Sequence, residues 1–382
     1  MFFKNSFMVK ASVIITSYNN SHNLERCLKS LINQDYDQNL IDLEIITVDS
    51  GSTDNSIEIL NKYKDKIKVV LKPQILPCFS PAMARNTGVQ NSVGNILIFS
   101  DSDCVFPSNW VKNMITSFKN PQIDCVIGNR EPDIGDGLGT FVRRYDFILY
   151  SSKFEISKPI IINKGNIQKG VPFIPLSGNN FAIKKEVWNK FSGMKTIFKN
   201  PAGEDVMLEV ELVKSNYNVL FYPWSRIIHV HPISLINVFK KVFPRSEAIY
   251  LLSKYSNGFV NWRHFAERGH ILNIKIFFIS LLSVLLFLLI VFLLSISITS
   301  TLFFLSSTVI LTFIIQLIKT KERLESILST KEEKYKKDYR LSLFKLFCFL
   351  QIHFLLKSLA LINFSFCLLK DKYAFNKKTV NN

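Results

Sequence analysis

Apolar and polar positions repeat on two different periods over the first hundred residues. Ala11–Thr16 is a short β-branched run, and Leu43–Val48, Lys68–Leu71 and Ile96–Ser100 are three more. Between the first two, Leu24, Cys27, Leu28, Leu31 and Ile32 recur at three- and four-residue spacing, which marks one face of a helix. Asn55–Tyr63 and Ala82–Gln90 read as helices too. Strands alternating with helices in this way predict βαβ units, and so a mostly parallel, doubly wound sheet flanked by helices. No internal repeat is visible.

The pattern changes after residue 234. No charged residue occurs from Ile276 to Ile318. As helix, that run would extend roughly 65 Å, twice the ~30 Å hydrocarbon core of a bilayer. The polar cluster Ser295–Thr301 divides it, which predicts two spanning helices at about 272–294 and 302–318. Residues 235–275 carry seven Lys/Arg, residues 319–340 carry eight, and the intervening turn carries none. The positive-inside rule then puts both flanks in the cytoplasm. A buried core hairpin is the alternative. Leu341–Leu369 is long enough to span, but Lys345, Gln351, His353, Lys357 and Asn363 interrupt it. The expected organisation is a catalytic domain at 8–234, a basic interfacial linker at 235–270, a transmembrane hairpin at 271–318 and a charged cytoplasmic loop at 319–342. A third hydrophobic segment at 343–369 is interfacial, re-entrant or transmembrane.

Charge sharpens this division. The 382 residues carry a net +17, spread unevenly. Residues 1–234 hold 26 Lys/Arg against 22 Asp/Glu, and residues 235–382 hold 21 against 8. A tail both basic and apolar points to membrane lipids rather than to nucleic acid, whose binders set basic residues among polar neighbours. The mean hydropathy of +0.17 agrees. The six cysteines show no CxxC spacing, so neither a disulfide framework nor a zinc site is suggested. Met1–Met8 is too short in its apolar run for a signal peptide. The expected location is therefore the cytoplasmic membrane, multi-pass, with the front domain in the cytoplasm.

In open α/β sheets, ligands bind beyond the carboxyl ends of the strands. The first strand ends in Thr16-Ser17-Tyr18-Asn19-Asn20, the second in Asp49-Ser50-Gly51-Ser52-Thr53-Asp54, and the strand at 96–100 in Asp101-Ser102-Asp103. Asp49 can accept hydrogen bonds from a base or ribose, or can simply close an Asx turn before a helix that Thr53 or Asp54 caps. Two carboxylates one residue apart on a strand-end turn can reach Mg²⁺ or Mn²⁺ together with a nucleoside diphosphate. Glu204-Asp205 suits either catalysis or the first turn of a helix, where acids favour the dipole. His229 and His231 flank Val230 and so share a side of a strand, where they contact metal or phosphate or merely precede Pro232. Arg143, Arg144 and Trp188 read as structural. Gly135-Asp136-Gly137-Leu138-Gly139 reads as a loop, lacking dinucleotide-motif spacing.

In order along the chain stand Ser12–Asn19, Ile46–Asp54, Ala84-Arg85-Asn86-Thr87-Gly88, Ile98–Asp103, Ser177-Gly178-Asn179-Asn180-Phe181-Ala182-Ile183 and Gly203–Leu208. Together, over roughly 10–232, they resemble a family-2 glycosyltransferase, an inverting enzyme with the GT-A nucleotide-sugar fold. The resemblance implies that Thr16, Tyr18, Asn19, Asp49, Arg85, Asn86 and Asp101 bind the donor nucleotide. It implies that Asp103, Asp101 and His229 hold a divalent cation, Mg or Mn. Asp205 would be the catalytic base, with Glu204 positioning it. The family often has a second acid after the position of Asp49, where this chain has Ser50.

The implied chemistry suits these residues. A leaving diphosphate is neutralised by a divalent cation acting as a Lewis acid. An acceptor hydroxyl gives its proton to a carboxylate, and one in-line displacement inverts the anomeric centre. The expectation is a membrane-anchored inverting glycosyltransferase using a nucleotide-sugar donor and a lipid-linked or glycan acceptor. The rivals are a processive polysaccharide synthase, although no Gln-x-x-Arg-Trp motif follows Asp205, and a catalytically silent nucleotide-sugar-binding scaffold.

Overall fold

The computed structural model describes residues 8–72, 80–132, 158–198 except 172, 202–230 and 242–257, with positions 236, 240, 259 and 365–367. All of them belong to one of the two compact units into which the chain divides. The other unit, 141–155 with 262–362, lies outside the described residues, and so do Gly135–Gly139, Arg143, Arg144 and His231.

The strands are β1 (Val9–Ser17), β2 (Ile41–Asp49), β3 (Lys68–Leu71), β4 (Ile96–Asp101), β5 (Cys104–Val105), β6 (Cys125–Pro132), β7 (Ile160–Ile162), β8 (Phe181–Lys184) and β9 (Val219–His229). The helices are α1 (Ser21–Ile32), α2 (Ser56–Lys62), α3 (Pro81–Gln90), α4 (Trp110–Thr116), α5 (Lys164–Gln168), α6 (Lys185–Lys190), α7 (Glu204–Lys214) and α8 (Val242–Tyr255). The sheet runs β3-β2-β1-β4-β8-β6-β9-β5, with β7 also on β9. The first four strands in that order are parallel, as the alternation predicted. β8 is antiparallel to both β4 and β6, while β6 and β9 are parallel again. The fold is a GT-A-like α/β architecture on a mostly parallel sheet.

β1 is buried on both faces, which is why it reads as a continuous apolar run. Val13 and Ile15 join Cys27 and Leu31 of α1 and Trp110 and Met114 of α4 in one core. On the opposite face, Ile46 and Val48 of β2 meet Ala84 of α3. Phe99 stacks on Phe181 at 4.5 Å and on Trp188 at 4.8 Å, tying β4, β8 and α6 together.

The ladder between β6 and β9 is broken. Gly128 pairs with Tyr222, but the next residue, Asn129, pairs with Arg226, so Pro223-Trp224-Ser225 bulge out of register. Such a bulge removes ladder partners from buried carbonyls. Asn180 replaces them. Its side-chain amide donates to Asn129 O at 2.6 Å and Ser225 O at 3.0 Å, and its Oδ1 accepts from Trp110 Nε1 at 2.8 Å. Position 128 must be glycine for this plug to fit, because a Cβ there would overlap the Asn180 amide and the Ser225 carbonyl.

α8 lies within the stretch expected to be a linker, yet Ala248, Tyr250 and Leu252 are buried. Lys214 of α7 donates to Ser256 O at 3.3 Å, so this segment packs as part of the same unit. The expected multi-pass location in the cytoplasmic membrane is overturned: among the described residues no helix is long and apolar enough to cross a membrane. The longest, α8, has 14 residues and extends about 21 Å, short of the ~30 Å hydrocarbon core. The expected hairpin at 271–318 and the loop at 319–342 lie outside the described residues, as does the segment 343–369 apart from 365–367.

Asn180→Ala should orphan two carbonyls and an indole N–H in a buried site. At about 1–3 kcal/mol per orphaned group, less whatever water recovers, urea unfolding should show a loss of about 3 kcal/mol. A loss under about 0.5 kcal/mol would mean that the bulge is satisfied in some other way.

Candidate active site

The strand ends predicted to form one crevice do converge. Ser17 pairs with Asp49, and Thr16 with Asp101. The loops beyond them are laced together. Ser102 N donates to Thr16 O at 3.0 Å, Asn20 Nδ2 to Ser102 Oγ at 2.8 Å, and Thr53 N to Asn19 Oδ1 at 2.7 Å. Asn19 holds a left-handed backbone, φ 46°, which asparagine tolerates better than most residues.

Several residues expected to touch a donor have side-chain bonds within this framework. Asp49 is fully buried. Its Oδ1 accepts from the backbone N–H of Gly51 at 3.1 Å and Ser52 at 2.8 Å, and its Oδ2 accepts from Ser52 Oγ at 2.7 Å. Of the two readings left open for Asp49, this geometry is that of the Asx turn. Asp54 caps α2 by accepting from Ser56 N at 3.0 Å and reaches Ser21 N at 2.9 Å. Burial works to raise its pKa, but the hydrogen bonds from Ser56 and Ser21 win and take it down to about 2. Asn86 exchanges two hydrogen bonds of 2.9 Å with the backbone of Met194, so its amide is spent on a loop. Thr16 Oγ1 donates to Asp101 Oδ1 at 2.7 Å. Tyr18 lies half-buried just beyond β1.

Arg85 bridges two acids from different parts of the chain. It lies on the buried face of α3 and is 2% exposed. Nη2 donates to Asp101 Oδ1 at 2.9 Å and Nη1 to Glu204 Oε1 at 2.9 Å. The guanidinium joins the end of β4 to the start of α7. Burial disfavours its charge, but Asp101, Glu204 and Asp205 outweigh that and raise its pKa. Glu204 feels the reverse balance. Burial, then the charge of Asp205, push it from the ordinary 4.5 up to about 7, against the pull of Arg85. Asp205 is half-buried, its Oδ2 accepting from Gly178 N at 2.8 Å and its Oδ1 from Val206 N at 2.8 Å.

A second cluster gathers where β5 meets the end of β9. Cys104 pairs with His229 across the two strands, and Val230 N donates to Asp103 O at 2.8 Å. His229 Nε2 stands 3.2 Å from Asp103 Oδ2, with the two side chains 20% and 34% exposed. The candidate ligand atoms of Asp103, Cys104 and His229 lie within 4.8 Å of one another. Cys104 is buried, and burial followed by the charge of Asp103 raises its thiol well above the ordinary range, which makes it the weakest of the three as a ligand. Asp101, expected in this set, has Oδ1 committed to Arg85 and Thr16. Cys104 and Gly178 carried no role in the sequence reading. The only visible sign of either was its place beside Asp103 or within Ser177–Ile183.

Residues 12–188 match the model of Glycosyl transferase family 2. Over that stretch the chain is similar to this family. Glycosyltransferase AglE of Haloferax volcanii is 32% identical over 160 residues, covering 41% of this chain and 51% of AglE. Poly(ribitol-phosphate) beta-glucosyltransferase of Bacillus spizizenii is 34% identical over 131 residues, covering 34% of this chain and 20% of that enzyme. The match thus spans about half of one relative and a fifth of the other. Mannosyltransferase PcManGT from Pyrobaculum calidifontis, solved with GDP-Man and Mn2+, overlays at a TM-score of 0.48 with 18% identity, over 64% of this chain and 63% of that one. An overlay that loose says nothing about this site.

The raised pKa of Glu204 makes a pH prediction. The folded state holds that proton more tightly than the unfolded chain. Its stabilising contribution is full below about pH 4.5 and is lost as pH rises through about 7. Glu204→Gln cannot ionise. Urea midpoints taken at about pH 4.5 and about pH 7.5 should therefore fall more for wild type than for the variant. Parallel falls would place the Glu204 carboxyl in its ordinary range.

Proposed function

We propose that the chain is an inverting glycosyltransferase, with residues 8–234 as its catalytic domain, moving a sugar from a nucleotide-sugar donor to a hydroxyl of a glycan or polyol acceptor. The observation that carries this reading is the pair of 2.9 Å bonds from Arg85 to Asp101 and Glu204, which make the strand-end acids and the start of α7 one site. The family 2 match of residues 12–188 supports it. The names of relatives that act on poly(ribitol-phosphate) support a hydroxyl-rich acceptor. The lipid-linked acceptor rested on a membrane anchor and is not carried forward.

Asp103 and His229 fit a divalent cation, since a carboxylate oxygen and an imidazole nitrogen converge from partly exposed positions. An imidazole in the set favours Mn²⁺ over Mg²⁺, which prefers oxygen ligands alone. When bound, the cation would neutralise the leaving diphosphate. Asp101 is fixed through Oδ1 by Arg85 and Thr16, two residues before Asp103. Asp205 takes the acceptor proton, its carboxylate oriented by the N–H groups of Gly178 and Val206. Asp49, Asn19 and Asn86 shape the donor crevice through the loops they order.

Two measurements test this. Asp205→Asn keeps the size of the side chain but cannot accept the proton, so turnover should fall by roughly 10²–10⁴-fold with nucleotide binding nearly unchanged. Near wild-type transfer in a folded variant would place the base elsewhere. Asp103→Ala should abolish the Mn²⁺ dependence of nucleoside diphosphate binding in calorimetry. Binding that is identical with and without Mn²⁺ in wild type would sink the metal assignment.

A further inference from the structure

We infer that Arg85 is a positioning residue: its buried guanidinium sets the spacing between the donor-side acid Asp101 and the base-bearing turn Glu204-Asp205. The inference rests on the glycosyltransferase reading and goes beyond it, because it concerns how two halves of the site are held in register.

Two features separate this from an ordinary buried ion pair. First, the two acids are bound by different arms of one rigid fork, Nη2 to Asp101 and Nη1 to Glu204, both at 2.9 Å. A planar guanidinium fixes the separation of two acceptors, as a flexible ammonium cannot. Secondly, the guanidinium lies against Gly178, where a Cβ would overlap Nη2 and Nη1. The N–H of that same glycine holds Asp205 Oδ2 at 2.8 Å. The cation therefore orders the acceptor-side base through the 177–180 loop as well as through Glu204.

Acids so joined should act non-additively. The test is a double-mutant cycle of Asp101→Asn and Glu204→Gln in the full chain, run with Arg85 in place and again in the Arg85→Lys background. It is read in kcat/KM for sugar transfer and in the thermal unfolding midpoint. With Arg85, the double variant should depart from the product of the single effects on kcat/KM by at least threefold. In the Arg85→Lys background the effects should multiply within error. Arg85→Lys alone should lower kcat at least tenfold while donor KM changes less than threefold, because Asp103 and His229 remain. If Arg85→Lys fails to fold, Gly178→Ala replaces it. That variant removes no charge but displaces the guanidinium, and it should give the same split between kcat and KM. An active wild type with a multiplicative cycle, or coupling confined to the melting midpoint, would overturn the positioning role and leave the functional reading standing. A wild type that transfers no sugar from any nucleotide donor would overturn both.

Discussion

A guanidinium with 2% exposure must be matched by carboxylates, because an unpaired buried cation costs several kcal/mol. That requirement organises the centre of this domain. Asp101 has to sit at the end of β4 and Glu204 at the start of α7, each within reach of one arm. Position 178 has to be glycine, and Thr16 has to turn its hydroxyl onto Asp101. Four segments well separated in sequence are thus held by one charge. A shift of the end of β4 or of the start of α7 would cost the guanidinium a carboxylate partner.

The polar residues around the crevice fall into two groups by what their atoms already do. Asp49, Asn86, Thr16 and Arg85 have their side chains committed to other parts of the protein. Asp103, His229 and Asp205 keep part of their surface open. The proposed donor site needs both kinds. Loops rich in serine and asparagine would otherwise be soft, and the committed residues make them stiff enough for the open ones to act.

The parallel half of the sheet was legible in the sequence because its strands are β-branched runs separated by helical repeats. β4 and α3 differ from their predicted bounds by a residue at one end. The antiparallel half was not legible. β5 has two residues and β7 three, too short for any period to show. The identities of the acids at the site were readable from their places at strand ends and beside helix starts. What each side chain contacts was not readable, because Arg85 meets Glu204 across 119 residues and no local pattern encodes that distance. α8 escaped for a different reason. Its basic and apolar residues suggested a surface-lying linker, whereas its small residues Ala248 and Ser246 are buried.

The three surplus residues in β9 are absorbed where they stand. Pairing stops at Gly128–Tyr222, resumes at Asn129–Arg226 and runs on to Pro132–His229. The strand can therefore carry an extra turn of chain at 223–225 without moving the imidazole from its place opposite Cys104, beside Asp103. The short ladder after the bulge, rather than any residue in contact with the ring, decides where this end of the sheet presents its histidine.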